Sequence, residues 1–553
     1  MANSQALPGL RPVQEWVNLL RDPASRAYAA LSAIYGADRP LLRQKAAFVL
    51  DMLDLFPRLF PGDAPILLVR SAGRINLIGM HVDHRGGMVN PIAVRETWCL
   101  CRPRQDDTLD CASPLEQLFP RRKFRIQQEL GSEKIENWDR WTQARAAERK
   151  AAGTAGDWIN YVKSAALYLE HLRPTLRGAP ASPLRGADML IAGTLPRGAG
   201  VSSSSSVVVV AAEALTHINR LPISDPEQVE ICGQAEWYVG TRGGCGDHAA
   251  IKFGKFGRVS NLGSNPLTVD SAPFPQDLRV VLCNSLIEAN KSSTARDEFN
   301  NRIASYEFGL MLLRERFPSL APKMRQLRDV NCGTLGLSEA GICRLLLALP
   351  GRMTRAEILA ALPEHEERIR HIFGSHAPPA RGYPVRQICA FGMAECLRSS
   401  LAARALHNGN TAEFGEIVNI SHDGDRVTRI VSSGRREAMD KSMPDQLIEA
   451  RVADLESGDP ARAAGAALWR MPGGYDASLP ELDILVDACL ATHGVVAARV
   501  VGAGLGGAVH AIVHKDCVTD LLKNVAGSYY EPRRLEVAAE VYSPVGGSGV
   551  FTV

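Results

Sequence analysis

Met189-Leu190-Ile191-Ala192, then Pro196-Arg197-Gly198-Ala199-Gly200-Val201-Ser202-Ser203-Ser204-Ser205-Ser206, then Val207-Val208-Val209-Val210-Ala211-Ala212-Glu213-Ala214-Leu215 reads as a strand, a glycine–serine loop and a buried helix. Glycines let such a loop turn tightly, so that its N–H groups converge on an anion. The helix that starts directly behind it adds a positive dipole end and further unpaired N–H groups. Serine hydroxyls can bind phosphate oxygens or a hard cation. A flexible Gly/Ser linker would share this composition, but apolar structure abuts the loop on both sides. No Gly-Lys-Ser/Thr follows, so this is not a Walker loop.

Two other glycine loops flank this one along the chain. Ile66-Leu67-Leu68-Val69 leads as a strand into Gly73-Arg74-Ile75-Asn76-Leu77-Ile78-Gly79-Met80-His81-Val82-Asp83-His84-Arg85-Gly86-Gly87. Ala498-Arg499-Val500-Val501 meets Gly502-Ala503-Gly504-Leu505-Gly506-Gly507, and Ala508–Val513 continues as a strand. A loop that precedes a strand near the C-terminus makes no dinucleotide-binding case. Residues 10–60 carry apolar positions at helical spacing and end at the turn Phe60-Pro61-Gly62-Asp63, a helical leader. Residues 121–157 are charged and Ala-rich and predict a surface insertion, whereas 303–380 predict a mostly helical block. Strands interleaved with helices predict an α+β or α/β chain with a lobe boundary near 285, in three parts. These are a helical extension over 1–60, a first lobe over 61–285 and a second lobe with helical insertions over 286–553.

Composition narrows the function classes. With 553 residues, 46% hydrophobic, 22% charged and a net charge of +3, the chain suits a large buried core and carries no basic stripe for nucleic acid. Arg121-Arg122-Lys123 and Arg435-Arg436 read as solvated turns. Cys99 and Cys101 have no second pair or nearby histidine to complete a zinc set, and they read as buried thiols of a reducing compartment. Met1–Leu20 lacks a basic start followed by an apolar run. No stretch approaches the roughly 20 apolar residues that span a bilayer, and the expected address is the cytoplasm.

Taken together the three loops are far more specific than any one of them. Gly73–Gly87 closely resembles the galactokinase substrate signature. Pro196–Ser206 resembles the phosphate loop of the wider superfamily of galactokinase, homoserine kinase, mevalonate kinase and phosphomevalonate kinase (GHMP). Arg499–Gly507 is similar to that superfamily's third motif, and the order is the family's. Gln234-Ala235-Glu236 with Gly244-Cys245-Gly246-Asp247-His248 is similar to the segment carrying the metal-binding Glu and catalytic Asp. Tyr475-Asp476-Ala477-Ser478-Leu479-Pro480-Glu481-Leu482-Asp483 is similar to the stretch before the last motif. The likeness spans roughly 60–300 and 410–553.

The resemblance implies a two-lobed fold with the active site between the lobes, and an ATP- and Mg²⁺-dependent sugar 1-kinase. Phosphoryl transfer asks for positioning and charge neutralisation. By that likeness Asp247 is the base that accepts the sugar hydroxyl's proton, and Arg74 stabilises charge on the transferring group. Gly198, Gly200 and Ser202 line the triphosphate. Ser204 and Glu236 hold Mg²⁺, with Ser203 an alternative because a five-serine run blurs the register. Gly504 and Gly506 let the third loop approach closely. His81 and Asp83 match positions that contact sugar hydroxyls.

Two positions depart from the galactokinase pattern. Met80 stands where galactokinases carry Glu, and a thioether is at best a weak acceptor. Phe299, in Asp297-Glu298-Phe299-Asn300-Asn301-Arg302, stands where they carry Tyr. Losing two polar contacts predicts a shifted sugar preference, and the candidates are galactose, galacturonate and arabinose. The wording from His81 to Gly87 also resembles plant galacturonokinases, where the Glu is likewise missing. The expected partners are a monosaccharide and ATP, with neither nucleic acid nor membrane, and no oligomeric state follows from the sequence. The alternative from another class is a silent sugar-binding regulator descended from a galactokinase. An intact serine loop with Asp247, Arg74 and Glu236 all present weighs against it. A kinase for mevalonate or a similar alcohol lacks the polar His81–Asp83 segment, and a scaffold has only the unexplained insertions in its favour. The leader could cover the site, mediate dimerisation or pack on the back of the first lobe.

Overall fold

A computed structural model describes residues 7–132, 134–240, 243–288 and 293–553. The first lobe is built on a six-stranded sheet in the order Gly549–Val550, Leu67–Ile78, Asn90–Pro103, Ala187–Gly193, Thr108–Ala112, Arg122–Arg125. Neighbours run antiparallel except Thr108–Ala112, which is parallel to Ala187–Gly193.

Strand Leu67–Ile78 is buried along its whole length, because both faces of the sheet are covered. Leu67, Val69, Cys99, Cys101, Met189 and Ile191 point to one face and pack with helices Ile159–Leu172 and Ser203–Ile218. Alternate residues Leu68, Trp98, Leu100 and Leu190 point to the other face, against the leader helices Val13–Arg21, Arg26–Tyr35 and Arg39–Leu59. A strand period of two sorts these side chains. The leader therefore packs on the back of the first lobe, burying Trp16, Leu31, Val49 and Phe56. Cys99 and Cys101 are free, buried thiols, as expected.

The second lobe has a four-stranded antiparallel sheet in the order Val495–Val500, Ala508–His514, Leu278–Asn284, Ala539–Tyr542. Strand Leu278–Asn284 thus joins the second sheet although it precedes residue 285, and Gly549–Val550 returns to the first. The 303–380 block is helical as predicted, with Ser293–Arg316, Glu339–Leu347, Arg355–Ala361 and Glu366–Phe373 preceding the long helix Val385–His407. The 121–157 stretch departs from its reading as a surface insertion. Arg122–Arg125 forms the sheet's edge strand, and the helix Trp138–Ala151 docks through Trp138, which is buried and donates from Nε1 to Gln234 O at 3.0 Å. Two tryptophans stacked at 5.1 Å, Trp138 and Trp141, supply an apolar face that the charged composition conceals. Among the described residues no helix is long and apolar enough to cross a membrane.

Candidate active site

The serine loop joins strand Ala187–Gly193 to helix Ser203–Ile218, and Gly198 and Gly200 take positive φ (68° and 74°) within it. A methyl group on Gly198 would meet nothing within 4 Å, so the loop's outer face is open to a ligand. On its inner side the backbone touches the third loop, because a methyl group on Gly200 would lie 3.2 Å from Val501 O. Gly504, as expected, has no room for a side chain against Ala477 O.

Helix geometry divides the five-serine run. Ser202 is the N-cap in the left-handed region (φ 55°), and the first helical N–H to find a carbonyl is that of Ser206, on Ser202 O. The N–H groups before it point out of the helix end. Ser205 and Ser206 are buried, and Ser206 Oγ bonds Thr97 Oγ1 at 2.8 Å and Ser71 Oγ at 3.1 Å, a packing role. Ser202, Ser203 and Ser204 remain half-buried at the mouth.

Asp247 opens the helix Gly246–Phe253 and meets Arg74 from strand Leu67–Ile78 in a bidentate pair. Arg74 Nε donates to Oδ1 and Nη2 to Oδ2, each at 2.7 Å. Arg74 Nη1 also donates to Gly200 O, and Ser202 Oγ donates to Asp247 Oδ2. Arg74 is buried, while the Asp247 side chain keeps about a third of its surface open. The structure thus brings Arg74, Asp247, Gly200 and Ser202 together. A carboxylate offers about four lone-pair sites. Three are taken by described residues, and the site left free among them is on Oδ1.

Glu236 follows helix Asp225–Ala235 and is buried, with Oε1 lacking any hydrogen-bond partner among the described residues. His248 Nε2 stands 3.6 Å away. Tyr161, a residue the sequence reading missed, feels both Ser204 and Glu236. Burial pushes Tyr161 up and the Glu236 charge adds to it, while its hydrogen bond to Ser204 works the other way. An orphaned, buried carboxylate oxygen fits a hard divalent cation. Mg²⁺ takes one or two protein oxygens and completes its shell with phosphates and water. Among the described residues no cluster of three His, Cys, Asp or Glu side chains offers a fuller cage.

The Gly73–Gly87 segment supplies the opposite wall. Asp83 Oδ2 lies against the backbone that carries Asp247, where a methyl group on Gly244 would fall 2.9 Å away. Burial, the largest single influence, favours the neutral acid, but the hydrogen bonds from His84, whose ring lies 3.2 Å from Oδ1, together with the His84 and His81 charges outweigh it and hold the Asp83 carboxyl below the usual range. Met80 is buried, 3% exposed, and brings no polar atom. His81, also buried and at φ 68°, stacks on Tyr475 at 4.0 Å and turns Nε2 toward Asp425 Oδ1 at 3.4 Å. That nitrogen thus faces a protein carboxylate. Phe299 is half-buried on helix Ser293–Arg316. One turn on, Arg302 sits 5.5 Å over the Tyr475 ring and donates from Nη2 to Asp476 O at 2.7 Å, with Glu298 3.7 Å from Nη2 and with Nη1 buried and without a hydrogen-bond partner among the described residues.

Comparison with known proteins places these elements. Residues 54–103 match the galactokinase galactose-binding signature, 160–255 the GHMP kinases N terminal domain and 452–531 the GHMP kinases C terminal region. A Roseiflexus sp. galactokinase is 26% identical over 472 residues, 85% of this chain and 89% of that protein. A Fusobacterium nucleatum galactokinase is 24% identical over 497 residues, 89% of this chain and 97% of that protein. The crystal structure of Lactococcus lactis galactokinase complexed with galactose superposes with a TM-score of 0.60. It has 22% identity and covers 90% of this chain and 99% of its own, a likeness of fold.

Proposed function

We propose that this chain, which belongs to the GHMP kinase superfamily and bears the galactokinase signature, transfers the γ-phosphoryl group of ATP to the anomeric hydroxyl of a monosaccharide. The GHMP fold itself implies ATP and Mg²⁺. The observation that carries the reading is the bidentate Arg74–Asp247 pair at the mouth of the serine loop.

In this reading Asp247 Oδ1 accepts the hydroxyl proton through its free lone pair, while Arg74 and Ser202 fix the carboxylate's orientation. Arg74, bonded at once to Asp247 and to the loop carbonyl of Gly200, holds base and phosphate loop in one frame. Such preorganised contacts act where charge develops in the transition state. Gly198, Gly200, Ser202 and Ser203 line the phosphates, the open ends of the helix N–H groups attract them, and Ser204 with Glu236 holds the cation. The cation they would hold would supply neutralisation of the charge on the phosphate oxygens. Asp83 orients the sugar ring against the Gly244–Asp247 backbone, with His81 setting the pocket's far wall.

Met80 and Phe299 shift the acceptor away from galactose, because neither accepts a hydrogen bond from the sugar. Of the candidates, galacturonate carries the carboxylate that the unpaired Arg302 Nη1 can meet, whereas arabinose merely omits the outer hydroxymethyl group. The test is an ADP-release assay across galactose, galacturonate, arabinose and fucose. Turnover of galacturonate above the rest supports both halves of the reading. Galactose turned over as well as any other removes the specificity half, and no turnover of any sugar removes the kinase half.

A further inference from the structure

At the sugar loop, lined by His84 and Arg85 among others, lies a cavity of about 180 Å³ that none of the roles above uses. The loop contributes His84 and Arg85, helix Ser293–Arg316 contributes Glu307 and Arg314, the turn after it Arg325, and helix Glu366–Phe373 contributes Arg368. Glu307 is the one carboxylate in the lining. It is already held by Arg85 and by Arg368, whose Nη2 donates to Oε2 at 2.6 Å. Arg314 and Arg325 have no carboxylate partner among the described residues.

Four guanidinium groups therefore face one carboxylate across a small space. Like charges held together in this way destabilise each other, and they raise the local potential for an anion. Unused donor capacity is also present, because Arg85 Nε is buried without a hydrogen-bond partner. His84 Nε2 is buried and unpaired as well, while the ring's other nitrogen lies 3.2 Å from Asp83 Oδ1.

From this constellation we propose that the cavity binds a small multivalent oxyanion, a phosphate or a polycarboxylate. Guanidinium forks match both chemistries bidentately. At roughly 30 Å³ per water the space is worth about six waters, enough for phosphate or a tricarboxylate and far too small for a nucleotide triphosphate. The site would give the 303–380 insertion a role, since three of the four arginines come from it.

The binding claim does not rest on the sugar-kinase reading, and its test separates the two. Inorganic phosphate and citrate are titrated calorimetrically into the full chain at low ionic strength, without ATP or sugar. The comparison is a double variant, Arg314→Glu with Arg325→Glu. Both residues are exposed, so the variant's melting temperature should match the parent's and exclude misfolding. The expected result is saturable binding of at least one anion, weakened tenfold or more in the variant; phosphate alone or citrate alone would name the chemistry. Equal affinity in both proteins would place the anion elsewhere, the serine loop included, and overturn the proposal. So would no binding of either anion at millimolar concentration.

Discussion

Glu395 Oε1 accepts the backbone N–H of Gly79 at 3.0 Å, so the first lobe's sugar loop is tied to a carboxylate on a helix of the second. That carboxylate also takes Arg398 Nε at 2.7 Å, Arg499 Nη1 at 3.2 Å and the Ser421 hydroxyl at 2.7 Å. Arg499 Nη2 continues to Asp425 at 2.8 Å, and Asp425 faces His81. Every one of these side chains is buried. Burial pushes Glu395 up, yet Arg398 and Arg499 outweigh it and hold its carboxyl below the usual range. The two lobes are thereby joined by charge as well as by packing, at the loop proposed to hold the sugar.

Glu395→Gln keeps the shape and removes the charge, leaving buried Arg499 with Asp425 alone and buried Arg398 with no carboxylate partner among the described residues. Breaking a buried pair by removing one partner costs about 3–5 kcal/mol. Urea unfolding should show that loss as a lowered midpoint with an unchanged slope. A change within about 0.5 kcal/mol, the range of ordinary surface substitutions, would mean that the network is not coupled to stability.

Ser202→Ala removes one donor from Asp247 Oδ2 and leaves the Arg74 fork in place. Hydrogen bonds to charged groups are worth about 1.5–3 kcal/mol, so kcat should fall roughly 10–100-fold, with a smaller change in the sugar KM. A rise in KM alone would instead make Ser202 a ground-state binding residue.

How far the sequence carried this far differs by element. The strand, serine loop and helix around Gly198 were readable because period and glycine placement are local. Asp247, Arg74 and Glu236 are legible only through family likeness, and the structure pairs the first two side chains. The lobe-joining network was not readable. Glu395 and Arg398 lie one turn apart on Val385–His407, a spacing that surface ion pairs share, and their burial depends on Gly79, 316 positions away. Trp138 and Trp141 were hidden inside a charged stretch for a similar reason. Tyr161 gave no signal, since a lone tyrosine in a helix is ordinary core.

Glu236→Ala should raise the Mg²⁺ concentration for half-maximal ADP binding. Outer-shell partners of metals are already worth 10–100-fold in affinity, so loss of a direct ligand should cost at least about tenfold. Titration of Mg²⁺ against nucleotide fluorescence measures this, and an unchanged midpoint would remove Glu236 from the cation site.

Acid should destabilise the protein below pH 6.5. His510 is fully buried in strand Ala508–His514 with both ring nitrogens unpaired, and burial, aided by Arg499, pushes its pKa down to about 3. Between the unfolded value near 6.5 and the folded one, only the unfolded chain takes up the proton, so stability falls as pH falls. At pH 5 this group alone removes about 2 kcal/mol relative to neutral pH. His510→Gln should flatten the slope of stability against pH between 6.5 and 4. An unaltered slope would place the acid sensitivity elsewhere.

The role proposed for Asp247 is activation of an anomeric hydroxyl. Its most direct measurement is the ³¹P-NMR spectrum of the product formed from ATP and the preferred sugar, recorded for the parent protein and for Asp247→Asn. The account predicts a phosphomonoester coupled to the anomeric proton, with its rate of formation reduced at least about 10²-fold in the variant. Phosphate on any other hydroxyl, or a rate that survives the substitution, would contradict it.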